Sequence, residues 1–248
     1  TSLAKWFTAN RTLMTGIAMA ANGFGQLIMP LISYRLIANY DWRISYIIFG
    51  MIVFALIFVP ALFLKKKQTR DVTLEQDTPP SFKKAIKREV DDLSLKEAMR
   101  TRLFWMIIFM LGVYGYCFLS LLVHIAPHAI EIGLSAATAS TILSLMGGAL
   151  LVGRLGFGAL ADRIGNKKSI LIGFISILIS LIWLIQATET WELYLFAIIF
   201  SLGLGSISSS QSPMVADFFG LKFHGTIFGA IGGGTVALGA LGPLITGY

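Results

Sequence analysis

Residues 152–168 read VGRLGFGALADRIGNKK. One arginine, Arg154, stands inside an apolar, glycine-rich run, and eight positions later charges of both signs gather in Asp162, Arg163, Lys167 and Lys168. At 1.5 Å per helical residue, that spacing puts Arg154 about 12 Å along the helix from the charged end. A cation at such a depth is tolerable in water but costly in lipid, so the solvent around this helix must be settled first.

Composition settles it. Of the 248 residues, 56% are hydrophobic and only 13% are charged, and mean hydropathy is +0.76, against roughly 25% charged residues in a soluble domain. The apolar residues come in unbroken runs near the ~20 residues that cross a ~30 Å hydrocarbon core. Seven such spans are expected, at about 13–34, 44–64, 103–125, 136–160, 170–186, 193–215 and 226–248. The fold class is therefore all-α, a polytopic membrane helical bundle. Small residues let helix backbones approach in lipid, so Gly16, Gly23, Gly25, Gly229, Gly232, Gly233 and Gly234 are expected on packing faces.

Charge sets orientation. Lys5 and Arg11 precede the first span, a dense basic cluster from Lys65 to Arg102 follows the second, Arg163, Lys167 and Lys168 follow the fourth, and Lys222 follows the sixth. The alternate loops carry Arg35 and Arg43 as their only bases. By the positive-inside rule, Thr1 and the first set of loops are cytoplasmic. The net charge of +7 is thus divided among loops, which excludes nucleic-acid binding through one basic footprint. The lone Cys117 permits no disulfide framework. No metal-ligand spacing, nucleophile elbow or phosphate loop is present, so neither an enzyme nor a resident cofactor or metal is expected.

Three segments follow: residues 1–64 with two spans, a polar cytoplasmic linker over 65–101 containing Pro79-Pro80, and residues 102–248 with five spans. Ser94 and Glu97 have the spacing of a capping box on a short helix leading into the third span. The run GIAMAANGFGQLIMPLISY from Gly16 is echoed by GAIGGGTVALGALGPLITGY from Gly229, and internal duplication of helical bundles is common in secondary transporters.

GALADRIGNKK, from Gly158 to Lys168, resembles the G-x-x-x-D-R-x-G-x-[RK]-[RK] loop signature of the major facilitator superfamily, and it lies on the expected basic side. VHIAPHAIEIGLS (123–135), VADFFGLKFHGTIFGAIGGG (215–234) and WFTANRTLMTGIAMAANGFG (6–25) are similar to stretches of its monocarboxylate transporter and oxalate/formate antiporter branches. The resemblance covers nearly the whole chain. It implies helices five to eleven of an expected twelve, as part of a longer protein in the plasma (inner) membrane. It also implies secondary transport of a small organic anion by alternating access, with a proton or counter-anion as the undecided coupling species. Many proton-coupled members carry an aspartate one turn before the arginine. Here that position is Leu150. A multidrug or other solute exporter of the same superfamily is the alternative, as is a transporter-like receptor.

An arginine near the bilayer centre costs on the order of 2.5 kcal/mol or more. A water-filled cavity holding an anion removes much of that cost, and a guanidinium fork matches a carboxylate. Arg154 is therefore the leading substrate-binding candidate, with pairing to backbone carbonyls as the structural alternative. The family's anion-binding arginine matches this position. Tyr114 and Ser209, the latter in the polar run Ser206–Ser212, are further candidates to line a cavity, with helix packing as their alternative. Gly158, Asp162, Arg163, Gly165, Lys167 and Lys168 are the gating candidates. By resemblance, the Asp162 carboxylate pairs with a neighbouring helix N-terminus or base and holds one side closed. Lys167 and Lys168 equally fit plain interfacial anchors. His124 and His128, flanking Pro127, read as structural or proton-carrying, and Asp217 reads as an ordinary helix-end acid.

Overall fold

A computed structural model describes residues 11–62 and 93–247. The linker's basic cluster from Lys65 to Arg88, its Pro79-Pro80 and the segment before Arg11 lie outside the described residues. Among those described, the helices are α1 (Arg11–Leu62), α2 (Leu95–Arg100), α3 (Arg102–Glu131), α4 (Ala136–Ile164), α5 (Asn166–Leu184), α6 (Thr190–Phe219) and α7 (His224–Thr246). All but the six-residue α2 are long and apolar enough to cross a membrane.

Six candidate helices account for the seven expected spans because α1 covers two of them. Its 52 residues would extend about 78 Å, more than twice a bilayer core. The helix breaks at Asp41, where φ is 72° and ψ is 157°, a strained conformation outside both helical regions and open essentially to glycine. The Asp41 carboxylate accepts from Trp42 N–H at 2.7 Å, and its carbonyl accepts from the Ser45 hydroxyl at 2.8 Å, which restarts the helix.

The described chain forms two compact units. Residues from Arg35 to Leu62 belong to one, which carries a stacked Phe54–Phe58 pair and Arg43 over the Trp42 ring. Residues up to Tyr34 pack with those from Leu93 onward in the other, which holds every candidate site residue. That unit therefore takes the first half of α1 together with α2–α7.

In this larger unit α6 is the central helix. Phe196, Phe200, Leu204, Ile207, Val215 and Phe219 are buried along it, and so are Ser201, Ser206, Ser208, Ser209, Ser210 and Ser212. Serines suit a helix buried on all sides, because a small hydroxyl can bond its own backbone and still admit a close neighbour. Ser206 donates to the Ser169 carbonyl of α5 at 2.7 Å, while Ser209 donates back to the Ser206 carbonyl at 3.1 Å. Glycines set the closest crossings. A Cβ on Gly205 would sit 2.6 Å from the Gly153 carbonyl carbon of α4, and one on Gly203 would sit 2.7 Å from the Gly173 oxygen of α5. Of the glycines expected on packing faces, Gly16, Gly23 and Gly234 do meet neighbours. Gly25, Gly229, Gly232 and Gly233 face open space. Successive helical positions point about 100° apart, so the run Gly232–Gly234 cannot all address one partner.

Short α2 is built by its cap. Ser94 N–H and Oγ both donate to Glu97 at 2.7 Å, completing the capping box expected there. These bonds from the Ser94 side chain and then its backbone hold the Glu97 carboxyl below the usual carboxylate range. A depressed folded value means the cap's contribution is complete above the unfolded carboxylate value and is lost as pH falls through the folded one. Amide protection at Ser94–Glu97, the exchange rate taken relative to the intrinsic rate at each pH, is therefore expected to fall on acidification below the ordinary carboxylate range. A flat profile there would contradict it.

Candidate functional site

Arg154 lies mid-way along α4 and is only 7% exposed. Its neighbourhood follows from two close helix crossings. The α4–α6 contact at Gly153 and Gly205 brings Ser208, one turn further along α6, beside the guanidinium. Arg154 Nε donates to Ser208 Oγ at 3.0 Å. The α1–α4 contact is as tight: a Cβ on Gly16 would overlap the Arg154 carbonyl oxygen at 2.4 Å, and one on Gly147 would overlap Leu27 N at 2.3 Å. Arg154 Nη1 consequently donates to the Met19 backbone carbonyl of α1. From α3, the partly buried Tyr114 lies close to Arg154 and Ser208. Four helices thus converge on one guanidinium, and among the described residues no carboxylate is one of its partners.

Ser209, the serine singled out from the sequence, is turned toward its own helix. Ser208 is the hydroxyl on Arg154. Two adjacent serines look alike in a sequence. Only the rotation of α6 distinguishes them, and the tight Gly153–Gly205 crossing sets that rotation.

The other end of the motif is built around the first described turn of α1. Asp162 accepts from Thr12 N at 3.0 Å through one carboxylate oxygen and from Leu13 N at 3.1 Å through the other. Backbone N–H groups near a helix N-terminus lack partners of their own, so an anion there makes charge-assisted bonds and meets the positive end of the dipole. Gly158 permits the approach: a Cβ there would lie 3.2 Å from Leu13 Cα and from the Thr12 carbonyl oxygen. Gly165, at φ 91°, makes the turn from α4 into α5 and needs the left-handed region open to glycine. Beyond it the clasp continues through residues the sequence reading left without a role. The Thr12 hydroxyl donates to Asn166 Oδ1 at 2.9 Å, and Asn166 Nδ2 donates to Asp217 at the end of α6 at 2.8 Å. Arg163, Lys167 and Lys168 are exposed and stand outside this chain of bonds.

Away from the Asp162 end, a cavity of about 860 Å³ opens between α1, α3 and α4, lined among others by Asn22, Gln26, Ser33, Phe118, Ser140 and Leu143. The side near Asp162 is zipped by glycine contacts while the far side is hollow. His124 Nε2 lies 3.0 Å from the Pro243 carbonyl, tying α3 to α7.

Known proteins are similar to this chain in sequence. The chain is 28% identical over 244 residues to the uncharacterized MFS-type transporter YhjX of Escherichia coli K12, covering 94% of this chain and 57% of that protein. It is 28% identical over 182 residues to mouse monocarboxylate transporter 12, covering 65% of this chain and 37% of the relative. It is 23% identical over 234 residues to the agnestins efflux protein AgnL12 of Paecilomyces divaricatus, covering 93% of this chain and 49% of that one. The chain thus spans about half the length, or less, of these relatives. Residues 1–243 match the Major Facilitator Superfamily. With its apolar spans, its buried arginine and the Asp162 clasp in view, the chain belongs to that superfamily of integral membrane transporters.

Proposed function

We propose that this chain is the substrate-handling part of a transporter that moves small organic anions by alternating access, with Arg154 as the anion's anchor. The observation that carries this reading is a guanidinium buried mid-helix among Ser208, Tyr114 and a backbone carbonyl, with no carboxylate from the described residues on it. A cation so placed keeps N–H donors available and lacks a counter-charge, which a carboxylate supplies with matched geometry. None of the expected spans carries an acid near its middle, which disfavours cationic cargo. The relative named as a monocarboxylate transporter supports the same class of cargo.

In this reading the Asp162 clasp with Thr12, Leu13, Asn166 and Asp217 holds the cytoplasmic side closed while the cavity near Gln26 is open to the other side. Asp162→Asn keeps one acceptor and sets an amide N–H against a backbone N–H, at a cost of about 1 kcal/mol. It is expected to slow turnover severalfold without abolishing anion binding. Unchanged turnover would remove Asp162 from the gate.

Labelled lactate, pyruvate, oxalate and formate, offered to vesicles holding the full-length protein, test the substrate class directly. Accumulation or counterflow of one of them supports transport, and binding without movement would make the protein a receptor. One relative is named as an efflux protein, so export is the second reading of direction. Inside-out vesicles separate it from uptake.

A further inference from the structure

We propose that the groove between the end of α5 and the start of α6 binds a phospholipid with a primary-ammonium headgroup, phosphatidylethanolamine. A cavity of about 340 Å³ opens there, lined by Ile179, Ile182, Trp183, Gln186 and Glu192. Its volume lies within the roughly 300–1,000 Å³ of small-molecule sites. None of its lining residues belongs to α1, α3 or α4, so it is separate from the arginine site. The groove is apolar at one end and polar at the other. Ile179 and Ile182 lie inside α5 and are more than half exposed, whereas Gln186 follows the last turn of α5 and Glu192 stands in the first turn of α6. Because α5 starts beside the Asp162 clasp and runs away from it, the isoleucines lie deeper in the span and the polar pair lies at its mouth. A lipid presents its chain and its headgroup in that same order.

The mouth is built to meet a cation. Glu192 Oε2 accepts from Glu189 N–H at 2.9 Å and from Thr188 N–H at 2.7 Å. These bonds, that of Glu189 first, hold the carboxyl below the usual carboxylate range, so the group is ionised. Its other oxygen, Oε1, has no hydrogen-bond partner among the described residues. Trp183 Nε1–H donates to the Glu192 backbone carbonyl at 3.2 Å, which fixes the indole beside that residue. Trp191 braces it edge-on, with ring centroids 6.0 Å apart and planes at 66°. Indole faces attract cations, and tryptophan favours the membrane–water interface. From Ile185 to Glu192 the chain carries two acids and no base, which selects against an anionic headgroup.

The ammonium then donates to Glu192 Oε1 and lies against the Trp183 ring. The Gln186 carboxamide, which carries two N–H donors, meets the phosphate, and an acyl chain runs over Ile182 and Ile179. A trimethylammonium headgroup has the same charge and the same attraction to the indole but offers no N–H to the carboxylate. Phosphatidylcholine is therefore the comparison that isolates the hydrogen-bonded ion pair.

The test is native mass spectrometry of the delipidated full-length protein. It is titrated with phosphatidylethanolamine, phosphatidylcholine and phosphatidylglycerol of identical acyl chains. Phosphatidylethanolamine is expected to bind about fivefold tighter than phosphatidylcholine, and phosphatidylglycerol weakest. Glu192→Gln should bring phosphatidylethanolamine down to the phosphatidylcholine level. Glutamine at this position still accepts the backbone N–H bonds of the cap, so the charge is lost while the helix start is kept. Trp183→Leu should weaken both zwitterionic lipids alike, and Glu131→Gln, at an acid outside the groove, should change nothing. Equal affinity for phosphatidylethanolamine and phosphatidylcholine, or a preference for phosphatidylglycerol, overturns the proposal. So does a phosphatidylethanolamine preference that survives Glu192→Gln or is lost in Glu131→Gln.

Discussion

Arg154→Lys is expected to reduce organic-anion transport by about a hundredfold or more, with the protein still inserted and folded. Lysine keeps the charge but loses the fork: one ammonium on a flexible stem cannot hold Ser208, face Tyr114 and present a flat two-point edge at once. Each hydrogen bond to a charged partner is worth about 1.5–3 kcal/mol, so losing two of them suffices for that factor. Arg154→Gln removes the charge as well and should leave no measurable uptake. The measurement is initial-rate uptake normalised to membrane abundance, alongside thermal stability of the purified full-length protein. If Arg154 were only a strut between α1, α4 and α6, both variants would lose stability in step with transport. Retained uptake in either variant would exclude the anchor role.

Gly205→Ala is expected to be among the most damaging single methyls in the bundle. The added Cβ would lie 2.6 Å from the Gly153 carbonyl carbon and 2.7 Å from Arg154 N, both backbone atoms that cannot rotate away. The helices must part, and overpacking of this kind costs about 1–3 kcal/mol or more. The same movement carries Arg154 away from Ser208, because one helix crossing sets both distances. Thermal stability and anion affinity should therefore fall together. Gly156→Ala serves as the comparison: its Cβ meets nothing within 4 Å, and alanine is the better helix former by about 1 kcal/mol. Equal stability of the two variants would mean that the crossing is looser than described.

Much of this architecture was legible in advance. Apolar run length identified the spans, because the bilayer imposes one thickness on every crossing. The charged cluster after Leu160 marked a helix end for the same reason. Ser94 and Glu97 announced their cap, a local pattern that needs no tertiary information. The break at Asp41 was visible only as a gap between two apolar runs, since neither run contains the residue that changes conformation. Ser208 and Ser209 could not be told apart, and Asp217 looked like a routine helix end until Asn166 was found between it and Thr12.

The sequence by itself determined that this protein is a bundle of membrane helices, that Arg154 is out of place in lipid, and that Asp162 ends its helix beside basic residues. Those conclusions depend on hydrophobicity and spacing along one chain. Which groups touch Arg154 was decided by tertiary structure alone, through the rotation of α6 and the approach of α1. A backbone carbonyl such as that of Met19 has no letter in a sequence. It becomes a partner only when two glycine-lined helices come close enough for an arginine to reach it.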